Sequence, residues 1–212
     1  WFSDYNYRLM QTHLESQPQA ALAFAQAATA SSDMLLIAGA IGLDGVTLNP
    51  VKALRGFPAA GSGDYTLRLV TRDGRTIEHA FDADLVDHAM PPERHFAVTV
   101  LNPGPLERIE VRRGGAVVPP TAAMATAQRA RSAGGEPMSV DWSESAGRLS
   151  VRWNAAASFA SVTHVFEGQR TVLAMHRRGG ELVADTSSLP AGGVFEVSLS
   201  DGLNAQLVTL RR

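Results

Sequence analysis

A chain of 212 residues with 45% hydrophobic and 19% charged content has room for one large domain or two small ones around apolar cores. Its formal net charge of −2 gives no broad pull toward nucleic acid or an anionic membrane, and no apolar run approaches the roughly 20 residues of a membrane-spanning helix. With no cysteine the chain has neither a disulfide framework nor thiol chemistry, which leaves export open, because a domain of about 100 residues can hold together without staples.

The first stretch, 1–14, carries the strongest helix signal. Ser3 and Asp4 offer oxygens to the unpaired N–H groups of a first turn, and Tyr5, Leu9, Met10 and Leu14 fall on or near one face. Trp1 and Phe2 sit just before that cap, where apolar residues staple a helix start. The face of Trp1, Phe2, Tyr5 and Leu9 is expected to be an interdomain contact, either with something upstream or with the domain that follows. The chain opens on Trp without a charged segment leading into an apolar one, so a fragment or processed product is expected rather than a signal peptide. Between Ser16 and Ser32 the composition turns to Ala, Gln, Ser and Thr. Pro18 argues for a break, after which the run extends a helix or lays a strap on the first domain through Leu22 and Phe24. Residues 1–32 are thus an N-terminal helix and linker.

A strand-rich module is expected over 33–120. Met34 to Ala40 is nearly all apolar, as a buried strand would be, and Asp44-Gly45 turns the chain into Val46 to Asn49. Tyr65, Leu67 and Leu69 alternate with Thr66 and Arg68, and Arg72-Asp73-Gly74-Arg75 turns into a strand over 76–81. Phe96, Val98 and Val100 share a face, as do Ile109 and Val111. A Gly114-Gly115 turn then leads to Ala116 to Val118. Seven short strands with regular turns predict an immunoglobulin-like sandwich, and Pro50, Pro58, Pro103 and Pro105 fall between strands, where a missing N–H is tolerated.

Residues 121–137 are small and polar and read as a linker. A second module follows over 138–212. Leu149, Val151 and Trp153 form one apolar row; Val162, His164 and Phe166 form another, alternating with Thr163 and Val165. Turns at Glu167-Gly168, Gly179-Gly180 and Asp201-Gly202 separate the later strands, and Phe195, Val197 and Leu199 alternate with Glu196 and Ser198. The W-S-x-S-x-G-x-L-x-V-x-W pattern (142–153) resembles the early strands of fibronectin III-like sandwiches, with Trp153 as the core aromatic. The fold class expected is mainly β: two Ig/fibronectin III-like β-sandwich domains preceded by an N-terminal helix.

The residues alone supply no catalytic site. None of His13, His79, His88, His95, His164 and His176 forms the i, i+4 pair of a helical zinc site. Asp82, Asp84 and Asp87 lack the glycine and closing Glu of a calcium loop and read as solvated acids. Gly61-Ser62-Gly63 is a turn, not a nucleophile elbow. Arg112-Arg113 and Arg177-Arg178 lack the interleaved aromatics of a single-strand nucleic-acid binder. Trp142 is the one Trp left without a clear place in a core or on the N-terminal segment. As a sugar platform it stands alone, and core or edge packing is the plainer reading.

Trp1, Phe2, Ser3, Asp4, Tyr5, Tyr7 and Arg8 match an aromatic-[Ile/Phe]-Ser-Asp-Tyr-x-Tyr-[Arg/Lys] run. In this the chain resembles secreted bacterial zinc metallopeptidases of the metzincin-like kind, where that run follows the zinc site and Met-turn and opens the last helix of the catalytic domain. D-G-V-T-L-N-P (44–50), S-G-D-Y-T-L-R-L (62–69) and L-P-A-G-G-V-F-E-V-S-L-S-D-G-L-N (189–204) are similar to the strand-rich tail of such proteins. No H-E-x-x-H is present, so the family's zinc ligands and general base have no counterpart here. The resemblance implies a non-catalytic accessory region, secreted or periplasmic and monomeric. It would steady the upstream catalytic domain of the same polypeptide or bind a protein or cell-surface target. It implies no cofactor in this chain, zinc belonging only to the upstream domain. An independent adhesion or carbohydrate-binding module is the alternative. An H-E-x-x-H-x-x-G-x-x-H and Met-turn upstream of Trp1 would separate the two.

Overall fold

The computed structural model describes residues 32–58, 60–86, 91–132 and 136–212. The expected N-terminal helix and strap, with Trp1, Phe2, Tyr5, Leu9 and His13, lie outside the described residues, as do Asp87 and His88.

Period-two apolar rows fold as strands throughout. The first module holds β1 (Ser32–Gly42), β2 (Gly45–Leu48), β3 (Lys52–Gly56), β4 (Tyr65–Thr71), β5 (Thr76–Phe81), β6 (Asp84–Val86), β7 (Glu93–Leu101), β8 (Leu106–Arg113) and β9 (Ala116–Val118). A helix, α1 (Ala122–Ser132), follows. The second module holds β10 (Val140–Ser145), β11 (Arg148–Trp153), β12 (Phe159–Phe166), β13 (Gln169–Arg177), β14 (Glu181–Asp185), β15 (Val194–Ser200) and β16 (Ala205–Arg211).

These strands build four sheets with antiparallel ladders: β2-β1-β7-β6 with β3 also on β1, β5-β4-β8-β9, β10-β11-β14, and β13-β12-β15-β16. The fold is therefore mainly β and sandwich-like. In the first module Leu35, Ile37, Phe96 and Val98 from one sheet share a core with Tyr65, Leu67, Ile109 and Val111 from the other. In the second, Leu149, Val151 and Trp153 share a core with Val162, Phe195 and Val197. Gly45 carries φ +112 at the start of β2, and a Cβ there would stand 2.2 Å from the Pro119 carbonyl oxygen. Only glycine lets that backbone pass, and the Val46 N–H then bonds the same oxygen at 2.9 Å.

Three features differ from the sequence reading or go beyond it. The first module has β3 and β6 beyond the seven expected strands. Neither follows a Gly turn of the kind that announced the comparably short β2 and β9. The segment read as a linker carries α1. Its side is tied to β8 by Gln128, whose amide accepts from the Ile109 N–H at 3.4 Å and donates to the Ile109 carbonyl at 3.1 Å. That amide occupies the flank of β8 beyond the reach of short β9, and Met124 drops into the first core. Finally, in a point the sequence reading left open, Thr163, Glu196 and Ser198 on the face opposite the apolar rows are buried as well. The outer face of the β13-β12-β15-β16 sheet is covered where β3 packs against β15 and β16.

Candidate functional site at the seam of the two sandwiches

The contact between the modules is built from two short sequence devices. The first is β3. One flank pairs with β1, and the other lies on the outer face of the second module. A strand edge buried without partners would leave its amides unsatisfied. Here the Ala53 N–H donates to Ser198 Oγ at 2.9 Å, and the Val51 N–H donates to the Gly202 carbonyl at 3.2 Å.

The second device is the turn from Asp201 to Asn204. Asp201 Oδ1 accepts the Leu203 and Asn204 N–H groups, each at 2.7 Å, and Asp201 Oδ2 accepts from Asn204 Nδ2 at 3.2 Å. An aspartate that bonds its own following backbone fixes a tight turn. The turn drives Leu203, 2% exposed, into the core of the first module. Asn204 Oδ1 then accepts the Leu106 N–H at 2.6 Å.

Between these devices lies a layer of buried polar groups: Ser161, Thr163, Glu196, Ser198 and Ser200. Arg170 donates to Glu196. Lys52, the chain's lone lysine, is half-buried beside them. Burial, and then the charge of Arg170, lower its pKa against the opposing pull of Glu196. His176 is held below its ordinary value by burial and then by the charge of Lys52, both of which favour its neutral form. Its own backbone sits at φ +46 in a bulge of β13, where its N–H donates to Ser161 Oγ at 3.0 Å. The layer sets two cations against one buried carboxylate. Within it, Glu196 is engaged by Arg170.

A cleft of about 480 Å³ opens along one side of the seam. Arg72, Asn102, Glu136 and Gln206 stand among its walls beside Leu35, Pro105 and Met138, so its lining is mixed, with polar and apolar residues in similar share.

The residues singled out from the sequence do not converge. His164, 2% exposed, sits in the second module with Nε2 3.0 Å from the Gly192 carbonyl, a core histidine with its polar need met. His95 is exposed and contacts Glu93 at 3.1 Å. His79 lies on β5 opposite Leu67. Asp82 accepts the Asp64 N–H at 3.1 Å, and Asp84 is on β6. Among the described residues no three His, Asp or Glu side chains gather to hold a metal ion. No helix among them is long and apolar enough to cross a membrane.

Sequence reasoning passed over Glu144 and Arg212. Arg212 Nε donates to both Glu144 oxygens at 3.0 Å, its Nη2 donates to the Thr186 carbonyl at 3.2 Å, and the Thr186 hydroxyl donates to Glu144 at 2.6 Å. These partners lie 68 and 42 residues apart in sequence, so no local spacing announces them. The seam residues were similarly silent, except that Asp201-Gly202-Leu203-Asn204 is a turn with an apolar residue at its tip. No protein-family model matches this chain, and no curated protein is found to be similar to it.

Proposed function

We propose that the chain is a non-catalytic accessory region of a secreted or periplasmic zinc metallopeptidase, acting as a monomer to steady an upstream catalytic domain or to hold it against a protein or cell-surface target. In this reading the two sandwiches are immunoglobulin- and fibronectin III-like. The order β10-β11-β14 opposite β13-β12-β15-β16, with the chain changing sheets after β11, β13 and β14, supports that for the second module. The observation that carries the proposal is the fixed seam. Leu203 of one module sits in the core of the other, β3 is bonded to Ser198 through Ala53, and Val51 just before it is bonded to Gly202. A rigid pair of sandwiches suits a spacer or presenting arm. The string from Trp1 to Arg8 supplies the peptidase connection.

The test is a proteolysis assay of the purified 212-residue chain with added zinc. No chelator-sensitive turnover is expected, and such turnover would overturn the non-catalytic reading. The companion observation is the upstream coding sequence, expected to encode H-E-x-x-H-x-x-G-x-x-H and a Met-turn. The second reading, a carbohydrate-binding module, has one observation in its favour. Trp142 is 37% exposed, with its ring set edge-on to Phe195 at 6.3 Å. A glycan array without signal removes that reading.

A further inference from the structure

A smaller hollow of about 250 Å³ opens on the seam where α1, the β2–β3 connection and the 201–204 turn meet the second sandwich. Leu48, Pro50, Met124, Phe159 and Leu203 give it apolar walls, and Arg178 stands at them. The Arg178 guanidinium carbon lies 4.6 Å from the centre of the Phe159 ring, so the cation is stacked on the aromatic face. A guanidinium over a ring face still carries N–H donors that can reach a second partner. Among the described residues no carboxylate pairs with Arg178, and the lining contains neither Asp nor Glu. Arg152 and Arg170, by contrast, each hold a glutamate.

We propose that this hollow binds a small apolar carboxylate, with the acid group on the Arg178 edge and the hydrocarbon body on the walls. A hollow of about 250 Å³ suits an aliphatic body of leucine size rather than a larger ligand. One cation without neighbouring donors of like kind suits a single carboxylate, and the apolar walls disfavour a phosphate or a free sugar. Arg178 is itself exposed, beside the buried Phe159 and Leu203, and a carboxylate on its guanidinium would make a charge-assisted bond. The inference is independent of the accessory-region reading, since the hollow is formed by residues of the two sandwiches and α1 alone.

The test titrates N-acetyl-L-leucine into the ¹⁵N-labelled full chain and follows backbone amide shifts, with N-acetyl-L-leucinamide as the neutral control. Saturable shifts are expected at Thr121, Gly202 and Leu203 with the acid, and binding at least roughly tenfold weaker with the amide. Arg178→Gln should weaken the acid by a similar factor, and Arg178→Lys should restore part of the loss. Ala123→Phe, placed at an exposed helix position on the hollow, should block the acid while the spectrum keeps its dispersion. Equal binding of acid and amide, unchanged binding to Arg178→Gln, or no shifts at those amides would overturn the proposal.

Discussion

Trp153 and Glu144 show two ways in which a single side chain holds the second sandwich. Trp153 is 7% exposed and packs in the core with Leu149, Val162 and Phe195. Trp153→Ala should cost about 3–5 kcal/mol, read as a shifted urea midpoint at constant slope. Its place was legible because Leu149, Val151 and Trp153 alternate with Ser150 and Arg152, and only one face of such a strand can be buried in a two-layer fold. Glu144 was not legible. Burial pushes its pKa up, but the Thr186 hydroxyl and the Arg212 guanidinium outweigh burial and leave it below the ordinary 4.5. A carboxylate with a depressed folded pKa contributes stability above its unfolded value, and that stability is lost as pH falls through the folded one. Stability should therefore drop as pH falls below about 5, and Glu144→Gln should flatten the drop. Urea melts of both chains at several acidic pH values check this, and parallel curves would contradict it.

At the scale of elements, β3 and α1 carry the organisation of the seam. β3 follows no Gly turn that would declare it in sequence, and its identity comes from its neighbours: β1 on one flank and the outer face of β15 and β16 on the other. Ser198→Ala would leave the Ala53 N–H buried without its acceptor, at a cost of about 1–3 kcal/mol. Hydrogen exchange at Ala53 should rise more than at Val162 in the other core, and equal protection would place the bond outside the energetics of docking. The α1 helix illustrates a different gap between sequence and structure. Its alanines favour helix, and Thr121 at the cap accepts the Met124 N–H at 3.4 Å. Small residues around it carry little periodic apolar signal, so composition reads as linker. Met124 and Gln128 decide otherwise, because β8 offers a core gap to one and an open strand flank to the other.

For the molecule as a whole, Asp33–Arg212 form one compact unit, although they contain two cores. Leu203 belongs by chain to the second module and by packing to the first. Leu203→Ala should cost about 2–5 kcal/mol, and calorimetry should show the two modules still unfolding in one transition at a lower temperature. Two separate wild-type transitions would show that the seam does not couple them. The sequence by itself determined most strands, their turns and the inward-facing rows, because side-chain alternation and Gly or Asp turns are local properties of the chain. Only the tertiary structure decided that Thr163, Glu196 and Ser198 are buried, that Glu144 meets Arg212, and that Arg178 overlooks an apolar hollow. Those outcomes depend on which surface covers which, and a polar residue on an alternating strand looks the same in sequence whether water or another sandwich lies above it.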